Sequence, residues 1–231
     1  MPSLIKSPLI LPLSALTLSA IALFSVASSV TLEGDNISYQ YDAMDNAYAL
    51  QLFGTPTIVG DDVRFLPPVF RAEALGAAGA ELLTANFVFS DVFSHSGTAI
   101  SSLQVFEFGD YEITNDGSVN ADLMLTVSSN YSVLDYLSDS DSFDASGTSS
   151  GLQTWSMNVS VDPSRDFFGQ ADHVAVSLQN TLMATTDEQG DAAWIQKKLV
   201  FTATASTVPV PASAWLFASA LLGMAGIARR R

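Results

Sequence analysis

The segment that decides the fold is Val174-Ala175-Val176-Ser177-Leu178-Gln179, in which large apolar residues alternate with small or polar ones. Successive side chains of a β-strand point to opposite faces of its sheet, so this period of two predicts a strand with one face in the core. An apolar sheet face is stable only when another layer covers it. The segment therefore predicts a sheet that packs against a second layer.

Similar runs of β-branched and aromatic residues recur before and after that segment, and turn-forming residues separate them. Strands at this spacing predict an all-β fold, an antiparallel β-sandwich of jelly-roll-like type, over residues 28–207. Near Glu107 the apolar set changes face, which predicts a strand buried on both sides or a bulge. The predicted strands are Ile37 to Tyr41, Tyr48 to Phe53, Val63 to Leu66, Ala85 to Phe89, Ser102 to Phe108, Val119 to Val127, Thr154 to Val161, Val174 to Met183 and Trp194 to Ala203.

Two segments depart from the strand pattern. Residues 70–83 are rich in alanine, but Gly76 and Gly79 each cost a helix about 1 kcal/mol relative to alanine. We predict a loop or a one-turn helix there. Residues 138–151 are almost all Ser, Asp, Gly and Thr, which predicts a long mobile loop.

The 231-residue chain is acidic, with 24 Asp and Glu against nine Lys and Arg, a net charge of −15 and no cysteine. Nucleic acid is not predicted as a partner, because phosphate binding relies on clustered basic residues. The absence of cysteine excludes disulfides, thiolate-bound zinc and cysteine nucleophiles. Between the two ends the basic residues are Arg64, Arg71, Arg165, Lys197 and Lys198.

Two histidines, His95 and His173, are candidate members of a Ser-His-Asp triad, since serine and aspartate are abundant. No Gly-x-Ser-x-Gly, His-Glu-x-x-His or phosphate-binding glycine motif accompanies them. The sequence therefore predicts no catalytic residues and a protein that is not an enzyme.

Asp139, Asp141 and Asp144 place several hard oxygens on one segment, and calcium takes six to eight such ligands. They are the candidate calcium ligands of the chain, but a serine and aspartate run more commonly forms a solvated loop, and that alternative is favoured here. No other cofactor is predicted.

Aromatic residues give a third candidate site, because carbohydrate-binding sandwiches stack sugar rings on exposed aromatic faces. Large aromatic residues within strands more commonly fill the space between sheets, and that alternative is favoured here. The residues concerned are Trp155, Trp194, Tyr39, Tyr41, Tyr48, Tyr111, Tyr131 and Tyr136.

The N-terminus reads as a secretory signal peptide over residues 1–27, with Lys6 before an apolar segment from Leu9 to Phe24. Small residues precede the predicted cut after Ala27, so the mature protein begins at Ser28.

The C-terminus has three parts. Residues 210–228 carry no charge, and as a helix they span about 28 Å, close to the roughly 30 Å hydrocarbon core of a bilayer. Arg229, Arg230 and Arg231 follow and favour a cytoplasmic C-terminus. Pro209 and Pro211 cannot continue the helix backwards, so an extended strip precedes the membrane and is accessible to a peptidase.

This tail resembles the PEP-CTERM sorting signal of bacterial exported proteins in its VPLPA-CTERM variant. The motif is Val208, Pro209, Val210, Pro211 and Ala212, with Val210 where the variant has leucine. A transmembrane helix over 213–228 and the basic end 229–231 complete the match. The resemblance implies export, transient anchoring in the inner membrane and cleavage by an exosortase-type membrane peptidase, followed by release to the cell surface or beyond.

The leading hypothesis is an exported, non-enzymatic protein of the cell envelope or extracellular matrix, associated with exopolysaccharide or biofilm material as the tail implies. The first alternative is a carbohydrate-binding or calcium-dependent adhesive module, which exposed aromatic residues in a row would favour. The second is a secreted hydrolase, which a cleft holding a histidine beside an aspartate and a serine would favour.

Overall fold

The computed structural model describes residues 28–77, 79–149 and 151–206. The predicted signal peptide (1–27), sorting motif (208–212), transmembrane helix (213–228) and basic end (229–231) lie outside these residues. Within the described part, no helix combines the length and apolar character needed to cross a membrane.

Twelve strands and two short helices make up this part of the chain. They are β1 (Ser29–Glu33), β2 (Ile37–Asp42), α1 (Ala47–Phe53), β3 (Thr57–Val59), β4 (Asp62–Phe65), β5 (Arg71–Leu75), β6 (Gly79–Ser94), β7 (Ile100–Thr114), β8 (Ser118–Ser129), β9 (Tyr136–Ser146), β10 (Gln153–Val161), α2 (Pro163–Asp166), β11 (His173–Thr186) and β12 (Ala192–Ser206).

The strands form two antiparallel sheets that pack face to face as a sandwich, which confirms the predicted class. Sheet A has the order β1-β2-β6-β11-β8-β9, and sheet B has the order β10-β7-β12-β4-β3, with β5 also paired to β12. The core lies between the sheets. Along β8, β10 and β11, buried residues that face the other sheet alternate with more exposed residues that face outward.

The segment around Val174 is a central strand of sheet A, as predicted. In β11 every second residue from Val174 to Thr186 is buried, and β6 and β8 pair with it on either side. The run 102–108 is likewise a strand, and its apolar residues do occupy both faces. Leu103 and Val105 point into the core while Phe108 is exposed. The accompanying bulge lies in the neighbouring β12, between Lys197 and Leu199.

Three sequence predictions are wrong. The predicted strand Tyr48 to Phe53 belongs to helix α1, whose buried residues Ala49, Leu52 and Phe53 recur at the helical spacing of three to four. Residues 70–83 form β5 and the start of β6, because Ala72 and Ala74 alternate into the core and β5 pairs with residues 192–196. Here tertiary pairing overrides the helix preference of alanine.

The third wrong prediction is the mobile loop over 138–151. Residues 136–146 are strand β9, which pairs with β8 from Ser118 to Ser128. The preceding strand β8 supplies the hydrogen bonds of β9, and Leu137 and Phe143 pack against the core. The polar composition of the segment indicates neither of these interactions.

Candidate functional site

The two histidines do not form the triad considered from the sequence. His95 Nε2 lies 2.7 Å from Ser38 Oγ and 3.6 Å from Glu33 Oε2, so serine and acid meet the same ring nitrogen. A triad needs the acid on the other nitrogen, where it orients the ring. Ser38 is also fully buried and therefore closed to a substrate.

His173 lies in a different arrangement. Its Nδ1 is 3.0 Å from Asp91 Oδ2, and its ring stacks on Phe93 with centroids 5.3 Å apart and planes 10° from parallel. Asn130 Nδ2 donates to the same carboxylate over 2.8 Å. The pair ties β11 to β6 across neighbouring strands, which is a structural role.

The candidate calcium ligands are engaged in strand contacts. Asp139 Oδ2 accepts the backbone N–H of Ser160 at 2.9 Å, and Asp141 Oδ2 accepts that of Asn158 at 3.0 Å. Residues two apart on β9 share a face, and they match N–H groups two apart on β10. These carboxylates therefore close the edge between the two sheets.

Asp144 does not join them, since it accepts Asn120 Nδ2 over 2.9 Å. Across residues 28–77, 79–149 and 151–206, no group of three or more His, Cys, Asp and Glu residues is arranged to hold a metal ion.

The tryptophans and most tyrosines named from the sequence do not make one exposed platform. Trp155, Tyr39 and Tyr41 are core residues, and the Arg71 guanidinium covers the Trp194 ring at 4.1 Å from its centroid. The half-exposed tyrosines are spread over α1, the turn before β9 and β9 itself; they are Tyr48, Tyr131 and Tyr136.

A row of phenylalanines lies instead on the outer face of sheet B. The Phe106 and Phe201 rings stack at 4.8 Å with planes 13° apart, and Phe108 follows at 6.5 Å and 3° from Phe201. Phe108 is 42% exposed. This row was not predicted from the sequence, although the apolar residues on both faces of 102–108 were its signal.

The least expected site is a buried charged cluster between the sheets, formed by Lys197 of β12, Glu107 of β7 and Asn180 of β11. All three residues are 0% exposed. The Lys197 Nζ donates to Glu107 Oε2 and to Asn180 Oδ1. Glu107 Oε1 and Asn180 Nδ2 have no hydrogen-bond partner among the described residues.

Aromatic rings wall this cluster. Lys197 Nζ lies 5.4 Å from the Phe70 ring centroid and 5.5 Å from that of Trp155. Trp155 can pack this closely because Gly109 opposes it, and a Cβ at Gly109 would stand 2.5 Å from the indole. The result is an apolar pocket around a primary amine, a carboxyl and a carboxamide.

Burial shifts the acid–base balance of the cluster. Desolvation raises the pKa of Glu107 and lowers the pKa of Lys197, and the attraction between the two charges opposes both shifts. Both directions favour the uncharged amine and the uncharged acid. Burial thus moves an amine and a carboxyl that contact each other toward their uncharged forms.

In the sequence, Glu107 stands out only as the position where the apolar pattern changes face, and Lys197 only as a basic residue. The available signal was a charged residue at an inward position on two separate strands. Only the packing of the sheets brings the three side chains together.

No protein-family model matches this chain. No curated protein matches it either. A solved structure described as infectious bursal disease virus Gx strain is similar at 12% identity and a TM-score of 0.25, and it covers 69% of this chain. The chain spans 49% of that viral chain's length.

Proposed function

We propose that this chain is an exported, non-enzymatic protein of the cell envelope or extracellular matrix, associated with exopolysaccharide or biofilm material. Its signal peptide directs export, and its tail anchors it in the inner membrane until an exosortase-type peptidase cuts near the motif. The observation that carries the proposal is the tail itself, in which a proline motif, an uncharged membrane-length run and three arginines follow one another.

The limits of the folded sandwich support this division of the chain. Strand β1 begins at Ser29, directly after the predicted mature N-terminus, and the Ser28 carbonyl already accepts Ala43 N–H at 3.0 Å. Strand β12 ends at Ser206, two residues before Val208. Cleavage at both predicted sites therefore leaves in place every strand that the structure describes between residues 28 and 206.

We also infer that the sandwich has jelly-roll-like connectivity. The strands β6-β11-β8-β9 of sheet A face β4-β12-β7-β10 of sheet B, and apart from the β8–β9 hairpin the chain changes sheet at each step from β5 to β12. Eight strands, four from each six-stranded sheet, that are connected in this way support the jelly-roll interpretation.

The sorting part of the proposal is tested by variants of the tail, expressed in a bacterium that has an exosortase-type peptidase. Changing Pro209 and Pro211 to alanine relaxes the extended strip, so uncut protein should accumulate in the membrane. Val210→Leu is the matched control, because it alters the same strip conservatively and should be processed like the parent. Fractionation and size measurement report the outcome.

A second substitution addresses the anchor. Leu221→Arg places a charge near the helix centre at a cost of about 2.5 to 3.5 kcal/mol, which should impair anchoring rather than cleavage chemistry. If the proline and Leu221 variants reached the same compartment at the parent's processed length, the sorting proposal would be refuted.

A second candidate function is carbohydrate binding, and the phenylalanine row on sheet B is the observation that favours it. Phe108 is the exposed ring of this row, and an exposed aromatic ring can stack on the apolar face of a sugar ring. Phe108→Ala should then weaken retention on the host's extracellular polysaccharide. Phe168→Ala, which removes a ring that is 98% exposed elsewhere on the surface, should leave retention unchanged.

A further inference from the structure

The cluster of Lys197, Glu107 and Asn180 has the parts of a bond-forming site. A primary amine contacts the oxygen of a carboxamide, and a carboxyl contacts the same amine. We propose that Lys197 Nζ and Asn180 Cγ join in an intramolecular amide bond, with Glu107 as the proton carrier. The bond ties β12 of sheet B to β11 of sheet A.

The reaction needs no external reagent. The uncharged Nζ attacks Cγ of Asn180 and forms the Nζ–Cγ bond, and Glu107 passes the proton released from Nζ to Nδ2. The Cγ–Nδ2 bond then breaks and ammonia leaves. No atom is oxidised or reduced, and Glu107 returns to its starting protonation state.

The surroundings of the cluster favour this reaction over the same chemistry in water. A solvated lysine is protonated at neutral pH and has no free electron pair, whereas desolvation by burial lowers the pKa of Lys197 and so favours the neutral amine. The fold also holds amine and carboxamide in hydrogen-bond contact. In well-oriented intramolecular reactions, fixed proximity reaches effective concentrations on the order of 10⁵ M or more.

The product also suits the site better than the reactants do. A buried amine and carboxyl carry a desolvation cost whenever they are charged, and the structure leaves Asn180 Nδ2 without a hydrogen-bond partner. Amide formation removes that orphaned group and the ionisable amine together. A chain without cysteine thereby gains a covalent tie between its sheets, as a disulfide would provide. The bond does not depend on the sorting tail.

Peptide mass mapping of the full chain tests the proposal directly. Trypsin does not cut after an acylated lysine, so the linked protein should yield residues 166–198 as one peptide, lighter than its sequence by one ammonia. Glutamyl endopeptidase then cuts after Glu188, between the linked positions, and the two pieces should stay joined. Release of residues 166–197 at full mass would overturn the proposal.

The second cut also distinguishes the cross-link from a cyclised asparagine, because cyclisation loses ammonia without joining two segments of the chain. If the peptide were lighter by one ammonia but fell into two pieces after cutting at Glu188, the proposal would be wrong. Both measurements use the chain without any substitution, so they do not require a variant to fold.

Substitutions test the role of each residue in the proposed reaction. Lys197→Arg keeps a cation but offers no comparable nucleophile, and Glu107→Gln keeps the shape but cannot carry the proton, so both should show full mass. Lys198→Arg is the matched control, because the neighbouring Lys198 pairs with Asp110 near the surface, and this variant should link like the parent. A Glu107→Gln protein that links as completely as the parent would refute the role of Glu107.

Discussion

Replacement of Phe87 by alanine tests how the two sheets are held together. Phe87 of β6 is fully buried, and its ring centroid lies 4.9 Å from that of Phe65 in the opposite sheet and 4.9 Å from that of Phe89. Tyr41 at 5.2 Å and Phe53 of α1 at 6.3 Å complete the group. One side chain thus contacts both sheets and the helix.

The size of the effect follows from this packing. A buried Phe→Ala change costs about 3 to 5 kcal/mol, because apolar burial is lost and a cavity remains. Four ring neighbours restrict collapse of the cavity, so we expect about 4 kcal/mol or more. For a domain of this size that loss lowers Tm by about 8 to 16 °C.

Urea unfolding followed by tryptophan fluorescence gives the free energy of unfolding, and an unchanged m-value shows that the folded state is still compact. Phe168→Ala is the control, since its 98% exposed ring should change stability by no more than about 0.5 kcal/mol. A loss below about 2 kcal/mol for Phe87→Ala would show that these rings do not form a close-packed core.

Three further predictions follow from single contacts. Burial raises the pKa of Tyr39, so the stability that its neutral hydroxyl contributes is complete below about pH 10, the pKa of tyrosine in the unfolded chain, and is lost as pH rises further. The free energy of unfolding measured with urea should therefore fall above about pH 10, and it should fall less steeply in Tyr39→Phe. Asp139 and Asp141 accept hydrogen bonds from the β10 backbone, so Tm should not change between micromolar and millimolar calcium. A calcium site would instead raise the free energy of unfolding by about 2.7 kcal/mol at a calcium concentration of one hundred times Kd. Gly109→Ala would put Cβ 2.0 Å from the Gln196 carbonyl oxygen, so soluble yield should collapse, while Gly97→Ala, in open space, should lose far less.

Much of the sandwich was predictable because strand periodicity is a local property. The alternation from Val174 onward, and the turn residues around Asn115 and Gly117, place strands and their ends without knowledge of any partner. The composition likewise excluded thiol chemistry. The sorting tail is also a purely local pattern, and it stays a prediction.

Tertiary structure decided which strand pairs with which, and that changed the reading of several segments. Residues 71–75 are a strand because β12 offers them an edge, and residues 136–146 are a strand because β8 does. The β12 partner of residues 71–75 is far away in sequence, whereas β8 and β9 are consecutive strands of a hairpin. In both cases the segment's own residues do not include the partner groups that complete its hydrogen bonds.

The buried cluster shows the same limit most clearly. Glu107 and Lys197 are 90 residues apart, and Asn180 is 17 residues from Lys197 on the opposite sheet. Each is an ordinary polar residue in its own strand. Only the closure of the sandwich removes water from all three, and it is this loss of water that converts a lysine, a glutamate and an asparagine into potential reactants.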